Sequence, residues 1–209
     1  MKKSLLALAF AIVLTSATPG SPAFTGKIQY SYSFSDLQGN DINENATAVH
    51  GREQHYFVDD NNYKSYDESN NITQLFNGRT NTYYGFWKDK TSLRIDALTR
   101  TSQQYKITKL NKTETILGYK CIAIEVETDE STTVYYYSPL LRIDPKGFSK
   151  HNFGDWNRYL EATNGALSLK YEITNHKKGF VWNVLATKIT KMPLEAGDFE
   201  YPDGYVLRN

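Results

Sequence analysis

The chain has 209 residues, a formal net charge of +1 at pH 7, and charged side chains at 22% of its positions. Such a near-neutral chain gives no electrostatic reason to expect nucleic acid or an anionic membrane as a partner. Aromatic residues make up 14% of the sequence, including 16 Tyr and 10 Phe, and this composition favours β-strands. At this length we expect one domain with a sizeable core.

Residues 1–23 predict a secretory signal peptide. Two lysines precede an apolar run from Leu5 to Leu14, which is too short to span a bilayer and is followed by small residues. We expect cleavage after Ala23, with cleavage after Ala17 as the alternative. Residues 24–209 would then form a single soluble β domain in the periplasm or outside the cell. No later apolar segment is long enough for a transmembrane helix.

The first predicted strand covers residues 27–34. Polar side chains alternate there with Ile28, Tyr30, Tyr32 and Phe34, and a period of two is typical of a strand with one wet face. Short polar turn sequences separate the predicted strands along the chain: DLQGND, VDDNNY, FNGRT, DPKGF and NHKKGF. This pattern predicts an antiparallel meander.

Two groups of possible metal ligands have simpler interpretations. His50 and His55 lie five apart, which places them on opposite faces of a strand, and no zinc-binding spacing is present. We interpret them, with His151 and His176, as surface or strand-edge residues. Asp59–Asn62 is rich in oxygen ligands but lacks the glycine and distant Glu of an EF-hand. We therefore predict a hairpin turn there rather than a calcium site, and no metal or cofactor.

Two aromatic groups leave two interpretations open. Tyr83, Tyr84, Phe86 and Trp87 crowd one strand end, and three tyrosines are consecutive at 135–137. Tyrosine has an apolar body and a polar tip, so both ordinary sheet packing and the wall of a ligand cleft would account for these residues.

Helical signals are few. Residues 96–105 and 151–163 could each hold a short helix. The second segment has Asp155 as a candidate N-cap, followed by Trp156, Tyr159 and Leu160 at helical spacing.

The segment Thr115–Thr128 predicts a strand and contains the only cysteine, Cys121. No histidine lies close to it in sequence to lower the pKa of the thiol, and no second cysteine exists for an intramolecular disulfide. We interpret Cys121 as a packed structural residue, with a nucleophile as the alternative if a histidine folds onto it. Because no GxSxG elbow, phosphate loop or dinucleotide fingerprint occurs, we predict that the protein is not an enzyme.

Near the C-terminal end, polar residues from Ser168 to Thr174 alternate with Leu167, Leu169, Tyr171 and Ile173, which predicts a second strand with one wet face. The patterns together predict a mainly β fold. We expect a single strongly curved antiparallel sheet, an unclosed half-barrel, with one or two short helices on its concave side.

The order of four segments resembles that of known exported proteins. FTGKIQYSYSF comes first, ETILGYKCIAIEVET and STTVYYYSP lie in the middle, and an F-x-x-P-x-G-Y pattern closes the chain at residues 199–205. This combination is similar to exported Bacteroidetes proteins related to the GLPGLI family, which in turn resemble the lipoprotein carriers LolA and LolB. The GLPGLI hexapeptide itself is absent. The resemblance implies a LolA-like unclosed barrel, a structural Cys121, and a bulge or close backbone approach at Gly118.

The carriers hold acyl chains in a hydrophobic cavity. We therefore predict that this protein binds a lipid or other apolar ligand in the half-barrel concavity without catalysing a reaction. The alternative is a cell-envelope module whose sheet edge or aromatic face binds another protein, and a hydrolase is the third candidate. The predicted lining of the concavity is Tyr30, Tyr32, Phe34, Tyr84, Phe86 and Trp182.

Overall fold

The computed structural model describes residues 23–208. The predicted signal peptide lies outside this range except for Ala23. Within the range the strands are β1 (Gly26–Asp36), β2 (Glu53–Val58), β3 (Asn62–Tyr66), β4 (Ile72–Asn77), β5 (Thr82–Phe86), β6 (Thr91–Asp96), β7 (Tyr105–Ile116), β8 (Tyr119–Thr128), β9 (Ser131–Arg142), β10 (Ala166–Asn175), β11 (Phe180–Lys191) and β12 (Val206–Arg208). The α-helices are α1 (Asn43–His50) and α2 (Trp156–Thr163).

All these strands belong to one sheet, in the spatial order β12-β6-β5-β4-β3-β2-β1-β11-β10-β9-β8-β7. Neighbouring strands are antiparallel except β12, which runs parallel to β6. One meander runs outward from β1 to β6, and a second runs from β7 back to β11, which pairs with β1. Strands β12 and β7 form two separate edges. The predicted mainly β fold, with one open, curved antiparallel sheet and short helices, is confirmed.

The main core lies on one face of the sheet. Along β1 the alternation predicted from the sequence is present, since Ile28, Tyr30 and Phe34 are buried and the intervening polar side chains are more exposed. Helix α2 packs on this inner face, where the ring of Tyr159 lies 4.7 Å from that of Tyr135. Full burial of one large apolar side chain contributes about 1.5–3 kcal/mol to stability.

Helix α2 confirms the helix predicted within 151–163, but its N-terminus differs in detail. Asp155 occupies the N-cap position with a left-handed backbone, φ 55°, and its side chain caps no backbone N–H. The carboxylate instead lies 3.1 Å from the guanidinium of Arg158.

The helix predicted over residues 96–105 is wrong. Asp96 ends β6, and its side chain accepts a hydrogen bond from the N–H of Leu98. The carbonyl oxygen of the buried Ala97 accepts from the N–H groups of Asn152 and Phe153. A helix would need the carbonyl oxygen of Ala97 for its own hydrogen bonds, and residues 152 and 153 use that group instead.

Helix α1 was not predicted. None of its residues is buried, so it lacks the apolar stripe that a helical period would reveal. It is held at its two ends: Asn43 Oδ1 accepts from the N–H of Phe34 at 2.8 Å, and the ring of His50 stacks on that of Phe34 with centroids 5.6 Å apart. Neither helix in the described part of the chain has the length and apolar content to cross a membrane.

The prediction that Ser168 lies on a wet face is also wrong. Its pairing with β9 shifts register on both sides of Ser168, and the residue is only 6% exposed. Such β-bulges change which side chains face the core, and here both Leu167 and Ser168 are buried.

Gly118 has a different role from the one that the resemblance implied. Leu117 and Gly118 form a two-residue turn between β7 and β8, with φ of 50° and 82°. Positive φ at both positions is the geometry of a type I′ hairpin turn. No atom outside the neighbouring residues lies within 4 Å of a Cβ built at Gly118, so no close backbone approach occurs there.

Cys121 is completely buried, as expected of a packed structural residue. Its thiol lies 3.5 Å from the carbonyl oxygen of Tyr119, and burial raises the pKa of the thiol. A raised pKa leaves the thiol protonated and unreactive at neutral pH.

We predict that Gly118→Ala lowers the free energy of unfolding by about 1–2 kcal/mol, because a Cβ disfavours positive φ. Urea denaturation would measure the loss. Gly197→Ala is the matched control, since Gly197 also has open space around it but no positive φ. Equal losses in the two variants would show that the turn conformation is not the cause.

Candidate ligand-binding cavity

A cavity of about 240 Å³ lies between the inner face of the sheet and the segment that leads into α2. Six tyrosines, each from a different strand, line it: Tyr30, Tyr56, Tyr63, Tyr83, Tyr135 and Tyr171. The rest of the lining is Gln54, Gln74, Phe153, Gly154, Trp156, Leu167 and Ser168. Apolar rings therefore dominate the wall, with a few polar groups among them.

The lining residues differ in burial. Tyr30, Tyr56 and Leu167 are buried, whereas Gln54 and Gln74 are half-buried. We call the half-buried part of the lining that contains Gln54 and Gln74 the rim. Aromatic residues such as Tyr83 and Tyr171 are half-buried as well, so a ligand would meet both rings and carboxamide groups there.

All the lining side chains are uncharged at neutral pH. None is a carboxylate, an amine, a guanidinium or an imidazole. Burial raises the pKa of the phenol of Tyr83 to about 12 and that of Tyr135 to about 12. Burial also raises the pKa of Tyr30 and Tyr56 well above their usual value, so these phenols keep their protons.

Several lining hydroxyls form hydrogen bonds within the protein. The hydroxyl of Tyr30 donates to the carbonyl oxygen of Ser168 at 2.8 Å. The hydroxyl of Tyr83 donates to Oε1 of Gln74 at 3.3 Å. These bonds fix the orientation of the rings and leave the amide N–H groups of Gln74 available to a ligand.

The interpretation of His151 as a surface histidine is wrong, because this residue is completely buried behind the cavity wall. Its Nε2 lies 2.8 Å from the hydroxyl of Tyr63, and its ring centroid lies 4.0 Å from that of Phe76. Within residues 23–208 its Nδ1 has no hydrogen-bond partner. Burial lowers the pKa of His151 to about 4, so the ring is neutral at pH 7.

Tyr30 is the member of the predicted lining that contacts this cavity. Tyr32, Phe34 and Trp182 lie on the same face of the sheet but form a separate aromatic cluster. In that cluster Trp182 contacts Tyr32 and Phe34 at centroid distances of 4.9 and 5.4 Å. His50 joins them at 5.2 Å from Trp182.

Tyr84 and Phe86 lie on the opposite face of the sheet. Both contact Tyr201, with centroid distances of 5.0 and 5.7 Å, and Phe86 also packs 4.8 Å from Tyr205. Phe86 and the buried Phe199 belong to a second, smaller core, against which Tyr84 and Tyr205 pack. The structure therefore does not bring the six predicted residues together.

Most of the cavity wall differs from the lining that the sequence predicts. On β5 the predicted lining is Tyr84 and Phe86, whereas the residue that lines the cavity is their neighbour Tyr83. Tyr56 and Tyr63 flank the Asp59–Asn62 turn, which the structure confirms as the hairpin between β2 and β3. The available signal was at Tyr63, which lies between the polar Asn62 and Lys64, whereas Tyr56 is followed by Phe57. No group of three or more metal-ligating side chains occurs among the described residues.

We predict that stability falls as the pH decreases from about 6.5 to 4. An unfolded histidine has a pKa of about 6.5, so in this window the unfolded chain binds a proton that buried His151 does not. The expected loss is about 3 kcal/mol. Urea denaturation at several pH values would measure it in the parent protein and in His151→Gln, which should lack this component. His176→Gln, at an exposed histidine, is the control, and identical pH profiles for all three proteins would contradict the prediction.

Comparison with known proteins identifies neighbours in fold. No protein-family model matches the chain, and no curated protein matches it. A structure of PNGF-II is 14% identical and matches 87% of this chain with a TM-score of 0.49, and the chain spans 30% of that protein. A LolA superfamily protein from Nitrosomonas europaea is 11% identical over 87% of this chain and 92% of its own, with a TM-score of 0.38. A DUF1329 family protein from Desulfovibrio piger is 8% identical over 86% of this chain and 90% of its own, with a TM-score of 0.32.

Proposed function

We propose that the protein binds an apolar small molecule, such as a lipid or an acyl chain, in the cavity between the sheet and α2. The observation that carries this proposal is the wall of six tyrosine rings around about 240 Å³. Removal of a ligand's apolar surface from water would supply the affinity, and few polar contacts would be needed. Of the residues predicted from the sequence, Tyr30 belongs to the proposed site.

The volume limits the size of the ligand. A cavity of about 150 Å³ lined by apolar side chains accepts benzene. In proportion, the cavity here holds roughly ten non-hydrogen atoms. A medium-length acyl chain or a substituted benzene fits this limit, and a longer chain would extend past the rim.

The proposed role is binding without catalysis, in an exported protein. The lining contains no cysteine, histidine, carboxylate or lysine that would act as nucleophile or general base, and Cys121 is not among the lining residues. The sequence of residues 1–23 supports export, so the ligand would be met in the periplasm or outside the cell. The relation to the GLPGLI family remains a prediction.

The alternative role, a cell-envelope module that binds another protein, has weaker support. A single large apolar surface would favour it. The most exposed large apolar side chains are Val49, Leu140 and Val206, which lie on α1, β9 and β12 respectively. Apolar side chains scattered singly are normal on protein surfaces.

Native mass spectrometry would test binding directly. The protein, purified gently from its own host, should carry an added mass that organic extraction releases as an apolar molecule. The apo protein should also take up added single-chain lipids. A clean apo mass with no uptake of any added apolar compound would contradict the proposal.

We predict that Gln54→Trp weakens binding at least tenfold, because the larger side chain fills the cavity from the rim. Gln54 lines the cavity on β2. The matched control is Gln38→Trp, the same substitution at an exposed position in the turn after β1. Circular dichroism would show that both variants fold, and fluorescence titration would measure the affinities. Equal affinities in the two variants would place the ligand elsewhere.

A further inference from the structure

Several phenol hydroxyls of the cavity wall have no partner within the described part of the protein. We propose that the ligand carries a carbonyl oxygen, as in a ketone or an ester, and that this oxygen accepts hydrogen bonds from Tyr135 and Tyr171. This inference rests on the proposed function, since it concerns the occupant of the same cavity, and it adds one chemical group to the apolar ligand proposed there.

The first argument is that these two hydroxyls are free. Three other phenols of the wall already have partners within the protein: Tyr30, Tyr63 and Tyr83. The hydroxyls of Tyr135 and Tyr171, by contrast, form no hydrogen bond with any residue from 23 to 208. A polar group that is removed from water without a partner costs free energy, so a ligand that covers these hydroxyls must supply one.

The free hydroxyls are also open to the cavity. Tyr159 on α2 has a hydroxyl without a partner as well, but protein atoms seal it from its surroundings. The hydroxyls of Tyr135 and Tyr171 are not sealed in this way, and both residues line the cavity. A ligand in the cavity can therefore contact their oxygen atoms directly.

The two residues are directly opposite each other on neighbouring strands. Tyr171 on β10 pairs with Tyr135 on β9, and their ring centroids are 5.7 Å apart. One acceptor that forms two hydrogen bonds of about 2.8 Å each can bridge hydroxyls up to roughly 5.6 Å apart. The free hydroxyl of Tyr56 is on β2, where its ring packs against Tyr63 with centroids 5.4 Å apart. The pair from β9 and β10 is therefore the place where a single acceptor gains two bonds.

The protonation of the pair favours an acceptor on the ligand over a donor. Burial raises the pKa of Tyr135 to about 12 and raises that of Tyr171 as well, so both phenols keep their protons. Each O–H then needs an acceptor, and a carbonyl oxygen has two lone pairs for two such donors. A ligand that displaces water from these hydroxyls without replacing its hydrogen bonds loses affinity.

Three ligands with the same benzene ring test the acceptor. Propiophenone carries a carbonyl, propylbenzene has no polar group, and N-ethylaniline, uncharged at pH 7.5, carries an N–H donor. All three have about ten non-hydrogen atoms, which matches the volume limit. We expect propiophenone to bind at least about fivefold more tightly than the other two, as measured by titration calorimetry of the mature protein. A purely apolar wall would instead favour propylbenzene, because a carbonyl loses its hydration on entry.

A double variant tests the assigned donors. Tyr135→Phe/Tyr171→Phe removes both hydroxyls and keeps both rings, so propiophenone should bind at least about fivefold more weakly while propylbenzene keeps its affinity. Tyr136→Phe is the matched control, because Tyr136 lies next to Tyr135 on β9 but does not line the cavity. Circular dichroism would show that both variants fold. An unchanged ratio of the two dissociation constants in the double variant would overturn the assignment.

The outcomes for the carbonyl and for the proposed function can be told apart. If propylbenzene or N-ethylaniline binds the parent protein as tightly as propiophenone does, the carbonyl inference is wrong although the cavity still binds apolar molecules. If none of the three ligands binds, the proposed function itself is contradicted, and the inference fails with it.

Discussion

The double pairing of β1 holds the structure together. This strand bonds to β2 on one side and to β11 on the other. It therefore joins the first meander, to which it belongs, to the second. Its buried side chains lie at the centre of the inner face, and Tyr30 on this strand reaches across to the backbone of β10. The cavity wall depends on this junction, because Tyr56, Tyr63 and Tyr83 come from the first meander while Tyr135 and Tyr171 come from the second.

The use of tyrosine inside the sheet combines two properties in one residue. The rings provide apolar surface, while the hydroxyls must find partners once they are buried. Tyr30 and Tyr63 meet this requirement with a carbonyl oxygen and with the imidazole of His151. The burial that raises the pKa of these phenols also keeps them neutral. The hydrogen bonds of these hydroxyls fix the positions of the rings, and the side chains of the wall carry no charge.

Local pattern was sufficient for the fold class and insufficient for the site. Alternation along β1 identified the buried face because one side of that strand contacts the core and the other does not. On β5 the sequence pattern did not identify the inner face. That face carries Tyr83, whereas the outer face carries Tyr84 and Phe86 against the second core. Ser168 was misplaced because its bulge depends on pairing with β9, which lies far away in sequence. Helix α1 has no apolar stripe, and buried His151 has no distinctive local pattern. These features depend on contacts between distant segments.

The second core has a consequence for how the chain acquires its structure. Leu75 and Phe86, on strands early in the chain, are covered by a segment that contains Phe199 and Tyr205, and β12 adds to the edge strand β6 only after that segment. During synthesis or export, more than a hundred residues must emerge before this cover exists. In the meantime the outer face of the first meander is an exposed apolar surface beside an unpaired edge, which is the kind of surface that chaperones bind and that aggregates if left free. Because the closing segment follows β11, this surface stays uncovered until the second meander has been made.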